Sequence, residues 1–124
     1  MNETIRRNRF PLTLQAPRRA REWVRSVVPL EPDREQVVLL MLSELVANSV
    51  RHSGHASEGD VDVIVLNADH TVRIEVRDPG LGSRVEPRPS PEHSGLRIVE
   101  SLADRWGVTY EPTNVWFEVN AGAA

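Results

Sequence analysis

The sequence predicts an α+β fold: a two-layer α/β sandwich whose mixed, mostly antiparallel sheet carries its helices on one face. Stretches that alternate apolar and polar residues stand apart from stretches with apolar residues at helical spacing. Val72, Ile74 and Val76 against Arg73, Glu75 and Arg77 typify the first, and Ile98, Val99 and Leu102 the second. The elements read β-α-α-β-β-α-β-β, so strands come as hairpins and do not alternate singly with helices. At 124 residues and 40% hydrophobic, the chain fits one compact domain, 1–124, around one core.

Residues 9–14 alternate loosely through Phe10, Leu12 and Leu14 and read as an edge strand, where Pro11 is tolerated. Pro17 opens a helix over 18–28, which Pro29 and Pro32 stop. Asp33 is the expected N-cap of a long second helix reaching about His52, closed by Ser53-Gly54. Residues 61–66 and 72–77 are two strands joined near 67–70 as a hairpin. From Asp78 to His93 the chain holds Pro79, Pro87, Pro89 and Pro91 among scattered charges. A loop of about sixteen residues is long for a compact domain and typical of lids and binding loops, here about 83–93. A helix over 94–104 follows, Gly107 marks a turn, and 108–111 with 115–119 form a last hairpin. The closing Ala-Gly-Ala-Ala is expected to fray.

Composition narrows the chemistry. With no cysteine there are no disulfides, thiolate metal sites or thiol nucleophiles. No apolar run approaches the roughly 18–20 residues that cross a membrane. Arg6, Arg7 and Arg9 precede no apolar stretch, so no secretory signal is expected and the cytoplasm is the natural compartment. All fifteen basic residues are arginine. Without lysine there is neither a Walker-type phosphate loop nor the phosphate-pairing lysine of a eukaryotic-type protein kinase. A net charge of −3 argues against nucleic acid as a direct partner. Arg18, Arg19, Arg21 and Arg25 form the one basic cluster, either a solvated helix face or a partner patch.

Three pieces carry polar chemistry. In the second helix, apolar nearly all round, Glu44, Asn48 and His52 recur every four residues. Steps of four advance about 400°, so the three lie along one face over about 12 Å, comparable with an adenosine and its first phosphates. A buried carboxylate or amide is costly unless bonded or holding a ligand, and asparagine is a mediocre helix former. Alone, the stripe fits equally a structural polar row or a binding face, and His52 suits a helix end facing the dipole. The second piece, Asp78-Pro-Gly-Leu-Gly82, is an ordinary turn sequence placed after a strand. Gly80 and Gly82 also admit a ligand close to the backbone, and the Asp78 carboxylate suits a donor such as the adenine amine. The third is His93-Ser-Gly-Leu-Arg-Ile-Val99, a glycine at a helix start after the long loop. Ser94 suits a plain N-cap there, and the free amides suit phosphate.

In this order and spacing the pieces resemble the N, G1 and G2 boxes of the GHKL (Bergerat-fold) ATPase/kinase superfamily. The boxes are Glu44-Leu-Val-Ala-Asn-Ser-Val-Arg-His52, Asp78-Pro-Gly-Leu-Gly82 and Ser94-Gly-Leu-Arg-Ile-Val99. Within the superfamily the chain looks like the short anti-sigma-factor serine-protein kinases of actinobacterial type, from the Phe10 strand to Val119. The resemblance implies ATP with Mg²⁺ as cofactor. Asn48 would coordinate the metal, Asp78 accept from the adenine amine, and Glu44 act as general base on the attacking hydroxyl. It also implies that Gly80 and Gly82 floor the adenine pocket, that Gly95 and Leu96 approach the phosphates, and that Arg51 and His52 lie at the pocket side. The implied partners are a sigma factor and a STAS-type anti-sigma antagonist, with a homodimer as the working form and no membrane or nucleic acid. The first strand and helix, with Arg18–Arg25, are the expected partner surface. Two positions depart from the pattern. His93 stands at the first glycine of the G2 box, where a Cβ restricts the hinge, and Asn114 stands where a threonine usually precedes the last strand's Val-Trp-Phe. These leave a second reading: a nucleotide-dependent regulatory module with little or no kinase activity.

Overall fold

The computed structural model describes residues 3–53, 59–78, 94–109 and 113–120. Along the chain run β1 (Glu3–Pro11), α1 (Ala16–Val27), α2 (Pro32–Ser53), β2 (Asp60–Ala68) and β3 (Thr71–Asp78). They are followed by α3 (Ser94–Leu102), β4 (Arg105–Thr109) and β5 (Thr113–Asn120). The strands form one five-stranded sheet in the order β1-β2-β3-β5-β4. Every neighbouring pair is antiparallel, so the sheet is not mixed as the sequence suggested. The excursion through α3 returns β5 antiparallel beside β3, and β4 closes the sheet as the outer edge.

Register sorts the side chains. Val61, Val63 and Val65 of β2, Val72, Ile74 and Val76 of β3, and Phe117 and Val119 of β5 point to one face. There they join Ala16, Ala20 and Val24 of α1, Val38, Met41, Leu42, Leu45 and Val46 of α2, and Val99 of α3 in one core. Each fully buried aliphatic side chain contributes about 1.5–3 kcal/mol, which makes this layer the main source of stability. Helix α2 is central: it packs on α1, on α3 and across β3. Helix α1 leans on β1, where Phe10 meets Trp23 edge-on at 6.2 Å, and its alanines let it approach the sheet closely.

Several boundaries differ from the periodic pattern. Strand β1 starts at Glu3 and ends at Pro11, because an edge strand facing solvent needs little apolar alternation; Leu12 and Leu14 fall in the following turn. Asp33 lies inside the first turn of α2, which begins at Pro32, and is not its N-cap. The β2–β3 hairpin forms as expected, with Asp69 at φ 49°, a conformation aspartate tolerates in a tight turn. Gly107 is no turn residue. It lies within β4 opposite Trp116, and a Cβ there would stand 2.7 Å from the indole. Glycine is needed at this place to let the ring lie flat across the sheet.

The other sheet face carries no helix core and is held by arginine. Arg73 stacks over Trp116 at 3.9 Å and bonds Glu75 at 2.9 Å and Glu118 at 3.2 Å. Toward β1, the Asp62 carboxylate accepts from Arg7 and from Arg9, each at 2.8 Å. Burial alone would raise the Asp62 pKa, but the hydrogen bonds and charges of Arg9 and Arg7 outweigh it and hold the carboxyl below its usual range. Arg9 is raised in turn by its bond to Asp62 and by that charge. Among the described residues no helix is long and apolar enough to cross a membrane.

A carboxylate depressed in the folded state stabilises fully above its unfolded pKa, and that contribution is lost as pH falls through the folded value. Asp62→Asn is therefore expected to lower stability at pH 7 and to flatten the loss of stability below about pH 4. Urea unfolding at a series of pH values checks this; an unchanged acid slope would show that another group drives it.

Candidate functional site

Among the described residues only four polar side chains are buried: Asn48, Asp62, Asp78 and Thr113. Asp62 belongs to the arginine-held face just described. Asp78 and Thr113 face the helix layer from the sheet, and Asn48 is buried on the helix that packs against it. Asp78 is the last residue of β3 and follows Val72, Ile74 and Val76 on the helix-side face. Thr113 opens β5 and is Asp78's register partner, so it shares that face. Asn48 lies in the C-terminal part of α2, the helix that crosses β3.

Burying such groups costs free energy unless each is bonded. The Asn48 amide oxygen accepts from the Arg51 guanidinium one turn along the helix. The Thr113 hydroxyl is buried and has no partner among the described residues. A buried carboxylate beside an unsatisfied hydroxyl is a poor way to build a core and a good way to build the floor of a polar pocket. The pair can accept and donate at once, as the amine and ring-nitrogen edge of a purine requires.

The α2 stripe is graded in depth. Asn48 is buried, Glu44 one turn earlier is half-buried, and Arg51 is exposed. Helix α3 supplies Gly95 in its first turn and a half-buried Leu96 packed against the core. Gly80, Gly82, His93 and the loop 83–93 lie outside the described residues, as does the His52 side chain. Among the described residues no three histidines or carboxylates cluster around a metal. That is compatible with Mg²⁺ at Asn48, since this ion usually keeps several waters and takes few protein ligands. The amide oxygen is a suitable hard donor for it.

Asn114 does not take the threonine's place. It sits on the opposite sheet face, where its amide donates to Glu75 Oε1 at 3.1 Å. The hydroxyl that faces Asp78 belongs to Thr113, one residue earlier. Counting back from Val115-Trp-Phe misses this by one position, and a one-residue shift in a strand reverses the face. The cue was in the sequence: Thr113 keeps the parity of Val115, Phe117 and Val119. The arginines of α1 are partly engaged within the chain. Arg18 pairs with Glu22 at 3.7 Å, Arg25 with Glu35 at 3.7 Å, and Arg21 donates to Ser43 at 3.0 Å.

The family model of the histidine kinase-like ATPase domain matches residues 10–118. The chain belongs to this family. The buried Asn48, Asp78 and Thr113 thus lie in a nucleotide-binding domain of the GHKL kind, with ATP-dependent, kinase-like chemistry as its general class. Domains of this family bind ATP, usually with Mg²⁺. No curated protein matches the chain in sequence.

Thr113→Val removes the unpartnered hydroxyl at nearly constant volume. The ligand-free variant is expected to be as stable as wild type or up to about 1 kcal/mol more stable, while its stabilisation by ATP falls. Urea unfolding with and without nucleotide reads both effects; a less stable ligand-free variant would show that the hydroxyl is bonded.

Proposed function

We propose that this chain is an ATP-binding anti-sigma factor with serine-protein kinase activity that phosphorylates a STAS-type anti-sigma antagonist. The observation that supports the reading is the burial of Asn48 on α2 and of Asp78 and Thr113, paired at the ends of β3 and β5, within a chain of this family. Asp78 accepts from the adenine amine, and Thr113 lies beside it on the same floor. Asn48 gives its amide oxygen to Mg²⁺, which when bound offsets phosphate charge and orients the transferring group. Gly80 and Gly82 leave the adenine room, and Gly95 and Leu96 bring the start of α3 toward the phosphates. Glu44, shallower than Asn48, takes the proton of the incoming serine hydroxyl as general base.

The protein partners are a sigma factor and its antagonist, with a homodimer as the working form. β1, α1 and the turn between them are the surface proposed for contact: Ile5, followed by Arg6 and Arg7, is 63% exposed, and Leu14 in the turn is 87% exposed. His93, at a position where the family pattern has glycine, favours a second reading in which nucleotide binding gates a partner with little phosphoryl transfer.

Titration with Mg²⁺–ATP tests the binding half. Ligand at 100 times its Kd stabilises by about 2.7 kcal/mol, and Asp78→Asn is expected to weaken binding at least tenfold, roughly the 1.5–3 kcal/mol of a charge-assisted bond. Equal affinities would remove Asp78 from the adenine site. Transfer of labelled phosphate from ATP to a purified STAS-domain antagonist tests the chemical half. Glu44→Ala is expected to lower transfer by about 10²–10⁴-fold and leave ATP affinity unchanged. Absent transfer in wild type with intact binding would select the gating module.

A further inference from the structure

We infer that Arg51 is a stand-in cation, holding the Asn48 amide oxygen until a divalent ion takes it, so that metal entry is an exchange of one cation for another. This rests on the nucleotide reading above. Asn48 is buried on a core helix, where an amide without partners is costly, and its oxygen accepts from Arg51. The spacing of three puts Arg51 one turn on along the same helix face. Most of the paired arginines described here meet carboxylates: Arg7 and Arg9 bind Asp62, and Arg73 binds Glu75 and Glu118. Among the described residues Arg51 makes no ion pair and turns to a neutral amide. Its charge is therefore not cancelled at the contact.

An amide oxygen has two lone pairs, but a guanidinium and a divalent ion on the same oxygen repel strongly in a partly buried site. The arginine has to withdraw when the metal arrives. Because Arg51 is exposed beyond its contact, it has solvent to withdraw into. The empty site thereby keeps its buried amide satisfied, and the metal meets a resident competitor.

Calorimetric titration of ADP, which is bound without turnover, at a series of Mg²⁺ concentrations tests this with wild type, Arg51→Met and Arg51→Lys. Arg51→Met keeps the aliphatic stem and removes the charge. The Mg²⁺ concentration giving half-maximal ADP affinity is expected to fall about fivefold in Arg51→Met and to stay near wild type in Arg51→Lys. The ligand-free Tm of Arg51→Met is expected to drop by a few degrees, about what loss of one hydrogen bond costs, with the gap narrowing at saturating Mg²⁺–ADP. ADP affinity weakened equally at every Mg²⁺ concentration would make Arg51 a plain phosphate contact and overturn the exchange. An unchanged Mg²⁺ requirement, or a Tm gap that persists at saturation, would reduce it to a helix-surface bond. Wild type that binds no ADP at any Mg²⁺ concentration takes down the nucleotide reading and this inference together.

Discussion

The long helix α2 has to satisfy two demands at once. It packs on α1, on α3 and across β3, so nearly every side of its middle must be apolar; Val38, Met41, Leu42, Leu45 and Val46 meet that demand. Yet its C-terminal part carries Asn48 into the same buried layer. The conflict is tolerable because it is confined to the ends of elements: Asn48 lies in the last turns of α2, as Asp78 ends β3 and Thr113 opens β5. Polar cost is concentrated where the elements finish, and the rest of the core stays aliphatic. Placing these groups at mid-sheet would have set a desolvated amide and carboxylate against Ile74 and Phe117, with no ligand able to reach them.

How far this was legible from the sequence depends on the kind of signal each residue gives. The helices and the central strands announce themselves, since a half-buried element must repeat its apolar residues at its own period. β1 announces itself poorly: an edge strand exposed on both faces, with Thr4 and Arg6 on one and Arg7 and Arg9 on the other, is selected for charge and pairing. Gly107 misleads for a different reason, because a glycine that marks a turn and one that admits an indole are the same letter. Motif spacing singles out Asp78 and Asn48, and the structure buries both. Motif spacing does not single out Thr113, because its pairing with Asp78 runs across the sheet, a relation that no local window contains.

The helix-free face shows why a chain without lysine suits this fold. A sheet face with no helix on it must be covered or charged. Arg73 does both, laying its planar guanidinium over Trp116 while forking to Glu75 and Glu118. Arg7 and Arg9 similarly converge on the one Asp62 carboxylate. An ammonium group would match the charges but neither stack nor fork, so the indole and the buried carboxylate would each lose a partner. Exposed ion pairs of this kind contribute little singly. Their effect here comes from closing over Trp116 and Asp62, which water would otherwise reach.

On the proposed function, depth separates binding from chemistry in the candidate site. Asn48, Asp78 and Thr113 are buried, so a ligand they held would be largely enclosed, and they would contribute to its affinity and orientation. Glu44 is half-buried. If the phosphoryl acceptor is a serine on another protein, its hydroxyl must come from outside, and a base buried as deeply as Asn48 would never touch it. The shallower position of Glu44 on the same helical stripe would suit a group that meets a visiting substrate, and the depth of Asn48 one that meets a resident nucleotide. One helix can supply both because a step of four residues changes azimuth by only about 40° while moving about 6 Å along the axis. On the proposed reading the spacing of Glu44 and Asn48 thus has a physical meaning: it orders two tasks by depth along a single rigid element.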